Sequence, residues 1–185
     1  MLAAAGCGVK DIQADGSYDP AKHPNESLVI LKLDLRFAYQ RQPPMQLTCY
    51  WFQIVDQDGK RVVASQQFIP NQQFVLALPA GRFRLDYVAL NHDLIGLGGV
   101  TMYADAYRVA VGRWFQTVKG EVLYLGKLDV AGKIGYDPKS TSWSPPPIRT
   151  ATRVEVYDEY DQAVSTFRAA FPKATHLPVI KRLLR

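Results

Sequence analysis

With 185 residues, 48% of them hydrophobic and 21% charged, the chain has the length and composition of one globular domain, which excludes a disordered polypeptide. The formal net charge of +5 comes from scattered basic residues, and the only local cationic group is Lys181, Arg182 and Arg185, so the sequence predicts no nucleic-acid partner, which would need a basic stripe. No apolar run approaches the ~20 residues that a membrane-spanning helix requires.

The first element along the chain is a run of small residues that ends in a cysteine. Ala4, Ala5, Gly6 and Cys7 resemble the lipobox of bacterial lipoproteins, where a signal peptidase cuts before the cysteine and its thiol receives a diacylglyceryl group. The resemblance implies that Cys7 is lipidated and that the lipid holds the protein at a membrane. Ala4 departs from the usual leucine, and a signal peptide needs a longer apolar stretch upstream. The alternative is a small-residue leader on a cytosolic protein.

The segment that follows is predicted to be a flexible spacer. Residues 8–27 are polar, contain two prolines and show no hydrophobic period. We therefore expect residues 1–26 to form a residual signal, lipobox and tether, and residues 27–185 to form a single domain. Gly8, rather than aspartate, follows Cys7, so the lipoprotein resemblance implies a periplasmic domain anchored to the outer membrane.

Alternating hydrophobicity predicts strands along most of the domain. Residues 27–40 place leucines and Phe37 on one face and Lys32, Asp34 and Arg36 on the other, which is typical of a half-buried strand. The same pattern and the intervening turns predict further strands over residues 46–55, 61–69, 74–78, 82–90, 100–111, 114–118, 122–130 and 150–157. Residues 91–99 and 135–149 are predicted to be loops.

A single helix is predicted after the last strand. It begins near a cap at Asp158 or Asp161 and ends near Phe171, because Pro172 cannot continue it. Its apolar stripe comprises Tyr160, Val164, Phe167, Ala170 and Phe171. We expect this stripe to cover a sheet face or a sandwich end, and a docking helix for a partner is the alternative.

These elements predict a mainly β fold, an antiparallel β-sandwich of about 7–9 strands with the C-terminal helix packed on it. The predicted core comprises Leu33, Leu35, Phe37, Trp51, Phe83, Leu85, Tyr124 and Leu125. A Leu-Pro-x-Gly turn at residues 78–81 and a Gly-Glu-x-x-Tyr-Leu-Gly strand at residues 120–126 resemble uncharacterised proteobacterial lipoproteins with prealbumin-like or carboxypeptidase-regulatory-like sandwiches. That resemblance implies a fold and a compartment, and it implies no activity.

The sequence contains no pattern typical of a catalytic, cofactor or metal site. His23, His92 and His176 lack the spacing of zinc ligands, and no serine lies in a nucleophile elbow. Cys49 is predicted to be a buried free thiol, and a Cys7–Cys49 disulfide is the alternative. We therefore predict a protein that is not an enzyme and needs no cofactor or metal.

Apolar and aromatic loop residues are the candidate binding sites, namely His92, Asp93, Leu94, Ile95, Leu97 and Trp143. The alternative is that these loops cover an open end of the sandwich. The sequence thus predicts a non-enzymatic lipoprotein of the cell envelope whose sandwich is an interaction or structural module for other envelope proteins. The alternative function is a periplasmic module that binds a peptide or glycan through loops 91–99 and 135–149.

Overall fold

The computed structural model describes residues 13–39, 46–64, 71–95, 101–103, 107–136 and 147–184. In these ranges it contains one α-helix, α1 (Tyr160–Ala170), and short 3-10 turns at Pro20–Lys22 and Pro172–Ala174. The strands are β1 (Glu26–Tyr39), β2 (Gln46–Asp56), β3 (Arg61–Ala64), β4 (Gln72–Pro79), β5 (Gly81–Ile95), β6 (Thr101–Tyr103), β7 (Tyr107–Thr117), β8 (Val122–Tyr136), β9 (Pro147–Tyr157) and β10 (Val179–Lys181).

The strands form two five-stranded sheets. In sheet A the order is β4-β1-β8, and the far side of β8 is shared by β10, which pairs with residues 122–124, and β9, which pairs with residues 127–136. In sheet B the order is β3-β2-β5, and the far side of β5 is shared by β7 and β6. The prediction of a mainly β sandwich with one helix packed on it is confirmed.

Sheet A is mixed, which differs from the predicted all-antiparallel arrangement. Strand β8 runs parallel to both β1 and β10, whereas β4 and β9 are antiparallel to their neighbours. Parallel neighbours cannot be joined by a tight turn. The connection from β1 to β8 contains all of sheet B, and hydrophobic periodicity, which reports only the facing of a strand, does not reveal such a long crossover.

The main core lies between the two sheets. Leu33, Leu35 and Phe37 of β1 pack there with Phe83 and Leu85 of β5. All the predicted core residues with described side chains are buried, and the side chain of Trp51 lies outside the described residues. Tyr124 belongs instead to a second cluster, on the outer face of sheet A.

The helix α1 covers one half of that outer face. Phe167 stacks on Phe171 at a centroid distance of 5.1 Å, and both pack with Leu28, Ile30 and Tyr124. The helix therefore covers a sheet, as predicted from its apolar stripe. Ala170 of the predicted stripe is exposed, and Ala163, which the prediction left out, is buried. Positions 160, 163, 164, 167 and 171 form the side of the helix that faces the sheet.

The start of α1 differs in detail from the predicted cap. Glu159 occupies the N-cap position without a capping side-chain bond, because its carboxylate contacts the ammonium groups of Lys32 and Lys127. The Asp158 carboxylate accepts a hydrogen bond from the Tyr160 amide at 3.1 Å, while Asp161 lies in the first turn. Asp158 is thus the closer of the two predicted caps.

Several predicted boundaries are wrong in the described ranges. Residues 91–95 continue β5, because β2 pairs with residues 91–94 and β6 pairs with residues 93–95. The two ends of the predicted loop at 135–149 belong to β8 and β9. Residues 107–117 form one strand, with a bulge and Gly112 at φ +63° where two strands had been expected. Part of the segment predicted as a spacer is attached to the domain, because the Ala14 amide donates to the Val75 carbonyl and Tyr18 packs against the apolar cluster that includes Phe167.

Candidate functional site

The outer face of sheet B carries arginines and aromatic side chains that no described element covers. We call this surface the arginine face, and it comprises Arg61, Arg82, Arg84, Arg108, Tyr87 and Trp114. Arg84 lies opposite Val55 of β2 on one side and Trp114 of β7 on the other, and Val55 lies opposite Arg61 of β3. Cross-strand pairing therefore brings together residues that are far apart in the sequence.

Strand alternation explains why these side chains point away from the core. Phe83 and Leu85 point into the core, so Arg82 and Arg84 point outward. The bulge after Leu85 shifts the pattern by one residue, so Val88 returns to the core and Tyr87 joins the outer face. The bulge thus places Tyr87 on the same surface as the arginines.

Aromatic rings hold three of the guanidinium groups. The guanidinium carbons of Arg82 and Arg84 lie 4.6 and 5.3 Å from the centroid of the Trp114 ring, and that of Arg108 lies 4.9 Å from the Tyr87 ring. Stacking on a ring orients a guanidinium without neutralising its charge and leaves its N–H donors free for other groups. Trp114 itself remains 39% exposed.

Asp86, in the bulge between Leu85 and Tyr87, is the one carboxylate that the described residues place against the arginine face. Its carboxylate lies 2.7 Å from the Arg84 guanidinium and accepts a long hydrogen bond, 3.5 Å, from the Gln53 amide nitrogen. The amide oxygen of Gln53 in turn accepts a hydrogen bond from the Tyr87 hydroxyl at 3.1 Å. The Nε atom of Arg84 is buried and has no hydrogen-bond acceptor in the described part of the chain. The arginine face therefore has excess positive charge and one unsatisfied buried donor.

The half of the outer face of sheet A that α1 does not cover is also charged, and there residues of like charge lie side by side on neighbouring strands. Lys32 lies opposite Lys127, and Asp34 lies opposite Asp129, which in turn lies opposite Glu155. Like charges directly opposite each other on neighbouring strands are destabilising. This surface, which we call the ion-pair lattice, must therefore be stabilised by contacts along the diagonals.

The diagonal contacts are short and satisfy both buried carboxylates. Asp129 accepts hydrogen bonds from Arg36 at 2.6 Å and Arg153 at 2.7 Å, and the Lys127 ammonium lies 3.3 Å from Asp34. Burial raises the pKa of Asp129, but the hydrogen bonds from Arg153 and Arg36 outweigh it, so the pKa lies below its ordinary value. The ion-pair lattice is thus compensated internally, and the arginine face is not.

The structure does not bring the predicted binding residues together into a described site. The backbone of His92, Asp93, Leu94 and Ile95 lies in the last part of β5, and their side chains lie outside the described residues. Leu97, Trp143 and Cys7 also lie outside the described ranges, as does the side chain of Cys49, so the predictions for these residues stay predictions. A peptide- or glycan-binding role for loops 91–99 and 135–149 likewise stays a prediction.

Sequence reasoning missed the arginine face because its basic residues never follow one another in a run. A signal was present in the alternation of Arg82 and Arg84 with Phe83 and Leu85. What it could not supply was the identity of the neighbouring strands, which alone places Trp114 beside these two arginines.

Within the described ranges, no three histidine, cysteine or acidic side chains are grouped so that they could hold a metal ion. None of the helices in that part of the chain is long and apolar enough to span a membrane. Comparisons with protein-family models, curated proteins and solved structures found no match to the chain.

Proposed function

We propose that the chain is a non-enzymatic interaction module of the bacterial cell envelope, which binds an acidic patch of another protein through the arginine face. One observation carries this proposal. Four arginines and two aromatic rings share an exposed sheet face on which Asp86 is the one described carboxylate. Such a surface attracts an acidic partner and retains free donors with which to bind it.

The residue types favour a protein partner over a nucleic acid. Arginine, tryptophan and tyrosine are the residues enriched at the energetic centres of protein interfaces, where large rings and planar donors bind with little loss of entropy. The faces of Trp114 and Tyr87 are already in contact with arginines, so they offer less surface for stacked bases than a nucleic-acid groove does.

The envelope location rests on the lipobox resemblance at Cys7. The chain is bonded to the edge of sheet A from Gln13 onward, through a bridge to Leu76. Six residues after Cys7 span at most about 20 Å when fully extended. A lipid on Cys7 would therefore hold the domain close to the membrane surface, which suits a module that meets partners in the same envelope.

Photo-crosslinking from the arginine face tests this function. We expect a photo-crosslinking amino acid at position 116, which is exposed and lies opposite Arg82, to trap a discrete protein in intact cells. Arg82→Glu should reduce that crosslink at least about tenfold, because reversing a charge at an interface adds repulsion. The same amino acid at position 169 on α1, which is exposed on the opposite side of the domain, should trap nothing at comparable yield.

A matched charge reversal separates a specific site from general electrostatics. Arg168→Glu makes the same charge change on the exposed side of α1 and should leave the crosslink from position 116 unchanged. An equal loss in both variants, or a crosslink to nucleic acid or lipid instead of protein, would contradict the proposal.

Anchoring through Cys7 gives a separate prediction. In a bacterial host that makes the chain with a complete signal, we expect the protein to fractionate with membranes and Cys7→Ser to release it into the periplasmic fraction, since the serine hydroxyl does not receive the lipid. Fractionation of the two proteins, followed by immunoblotting, measures this effect. Equal membrane association of both would show that lipid on Cys7 is not the anchor.

A further inference from the structure

A small cleft opens on the helix-bearing side of sheet A, away from the arginine face. Its volume is about 230 Å³. It is lined by residues of the N-terminal segment from Tyr18 to Glu26 and by Leu28, Gly120, His176 and Leu177. The cleft exists because the N-terminal segment is bound to the domain, and a free spacer would leave this surface open.

The lining combines apolar side chains with two carboxylates, those of Asp19 and Glu26. Pro20, Pro24 and Leu177 are among its apolar residues. The Asp19 carboxylate accepts a hydrogen bond from the Ala21 amide at 3.1 Å, and Glu26 is the first residue of β1. The Tyr18 and His23 rings are stacked at a centroid distance of 4.9 Å. Cations are attracted both to carboxylates and to the faces of such rings.

The Glu26 carboxylate has one oxygen available. Its Oε2 atom accepts a hydrogen bond from the Tyr18 hydroxyl at 3.2 Å and lies 3.4 Å from Nδ1 of His23. Its Oε1 atom has no partner among the described residues. Burial, and then the negative charge of Glu26, raise the pKa of the Tyr18 hydroxyl, so the tyrosine stays a neutral donor that orients the carboxylate.

We propose that this cleft binds a small organic cation, a primary amine with a short aromatic or apolar body. The ammonium group donates to Oε1 of Glu26, and the body lies between the two prolines and Leu177. The volume is below the range of about 300–1,000 Å³ that drug-sized ligands occupy, so the ligand has a single ring or a short chain. This site is independent of the arginine face and of any partner that binds there.

A pair of matched compounds tests the charge requirement. Benzylamine and benzyl alcohol have similar size and shape, and only benzylamine carries a positive charge. We expect benzylamine to shift the backbone amide signals of Gly120 and Leu177 in a nuclear magnetic resonance titration of the full chain, with a dissociation constant at least about tenfold lower than that of benzyl alcohol. Equal affinities for the two compounds would overturn the proposal.

Three variants locate the binding. Glu26→Gln should reduce the preference for benzylamine to about twofold or less, whereas Glu121→Gln, a nearby carboxylate outside the cleft lining, should leave it unchanged. If Glu26→Gln does not fold, Ala21→Trp, which fills the cleft from an exposed position, should abolish the shifts from both compounds. Binding that persists in Ala21→Trp would place the amine elsewhere and refute the site.

Discussion

Replacing Phe167 with aspartate is expected to lower the free energy of unfolding by about 4–6 kcal/mol, because truncating a buried phenylalanine alone costs about 3–5 kcal/mol and the new carboxylate has no partner. Phe167 is 1% exposed and packs between α1 and sheet A, where Leu28, Ile30 and Tyr124 form the surface beneath the helix. Since small domains are stable by only about 5–15 kcal/mol, this change removes a large part of the total stability.

Chemical denaturation monitored by circular dichroism measures this change. Ala169→Asp introduces the same charge on an exposed position of the same helix, and its free energy of unfolding should stay within about 1 kcal/mol of the parent value. If Phe167→Asp unfolded at the parent midpoint and lost a protein partner instead, α1 would be a docking helix rather than a cover for sheet A.

The second large effect is expected at Asp129, the centre of the ion-pair lattice. Asp129→Asn should lower the free energy of unfolding at neutral pH by about 1.5–3 kcal/mol, the range for hydrogen bonds to charged groups. The wild-type carboxylate is 3% exposed and accepts hydrogen bonds from both Arg36 and Arg153, and the neutral amide can accept with only one oxygen. Glu155→Gln, on the exposed neighbouring residue, should cost less than about 0.5 kcal/mol.

The effect of Asp129 should also depend on pH in one direction. Its pKa in the folded protein lies below the unfolded value of about 3.9, so its contribution is complete above that pH and is lost as the pH falls through the folded pKa. The difference in stability between the parent and Asp129→Asn should therefore shrink in acid. Urea unfolding of both proteins over a series of pH values measures it, and a difference that stayed constant down to the lowest pH would contradict the ion-pair assignment.

The sequence predicted the facing of strands well because facing depends on local alternation. Lys32, Asp34 and Arg36 do lie on the opposite side of β1 from the leucines. The run Leu28–Leu31 contains no polar residue, and such a run indicates a strand that is buried on both faces. All four of its residues are fully buried, with α1 on one side of the strand and sheet B on the other. Alternation begins where the helix no longer covers the strand.

The sequence did not predict which strands are neighbours, and both charged surfaces depend on that. Asp129 meets Arg36 and Arg153 only because β8 lies between β1 and β9, and Trp114 meets Arg84 only because β7 lies beside β5. Pairing is a property of the whole fold, whereas propensity and periodicity extend over a few residues. The cleft could not be predicted from the sequence either, because it forms only when a polar N-terminal segment packs against the domain.

The position of β8 has a consequence for how the chain reaches this structure. Leu28 pairs with Val122, so about half of the chain must be synthesised between the two central strands of sheet A. Until β8 emerges from the ribosome, the run Leu28–Leu31 lacks both its parallel partner and the helix that covers it. Pairings between distant segments close slowly and leave apolar strand edges exposed in the meantime. We therefore expect slow folding whose transition state requires β1 and β8 to meet, and nascent chains that end before residue 122 should be the species most prone to aggregation.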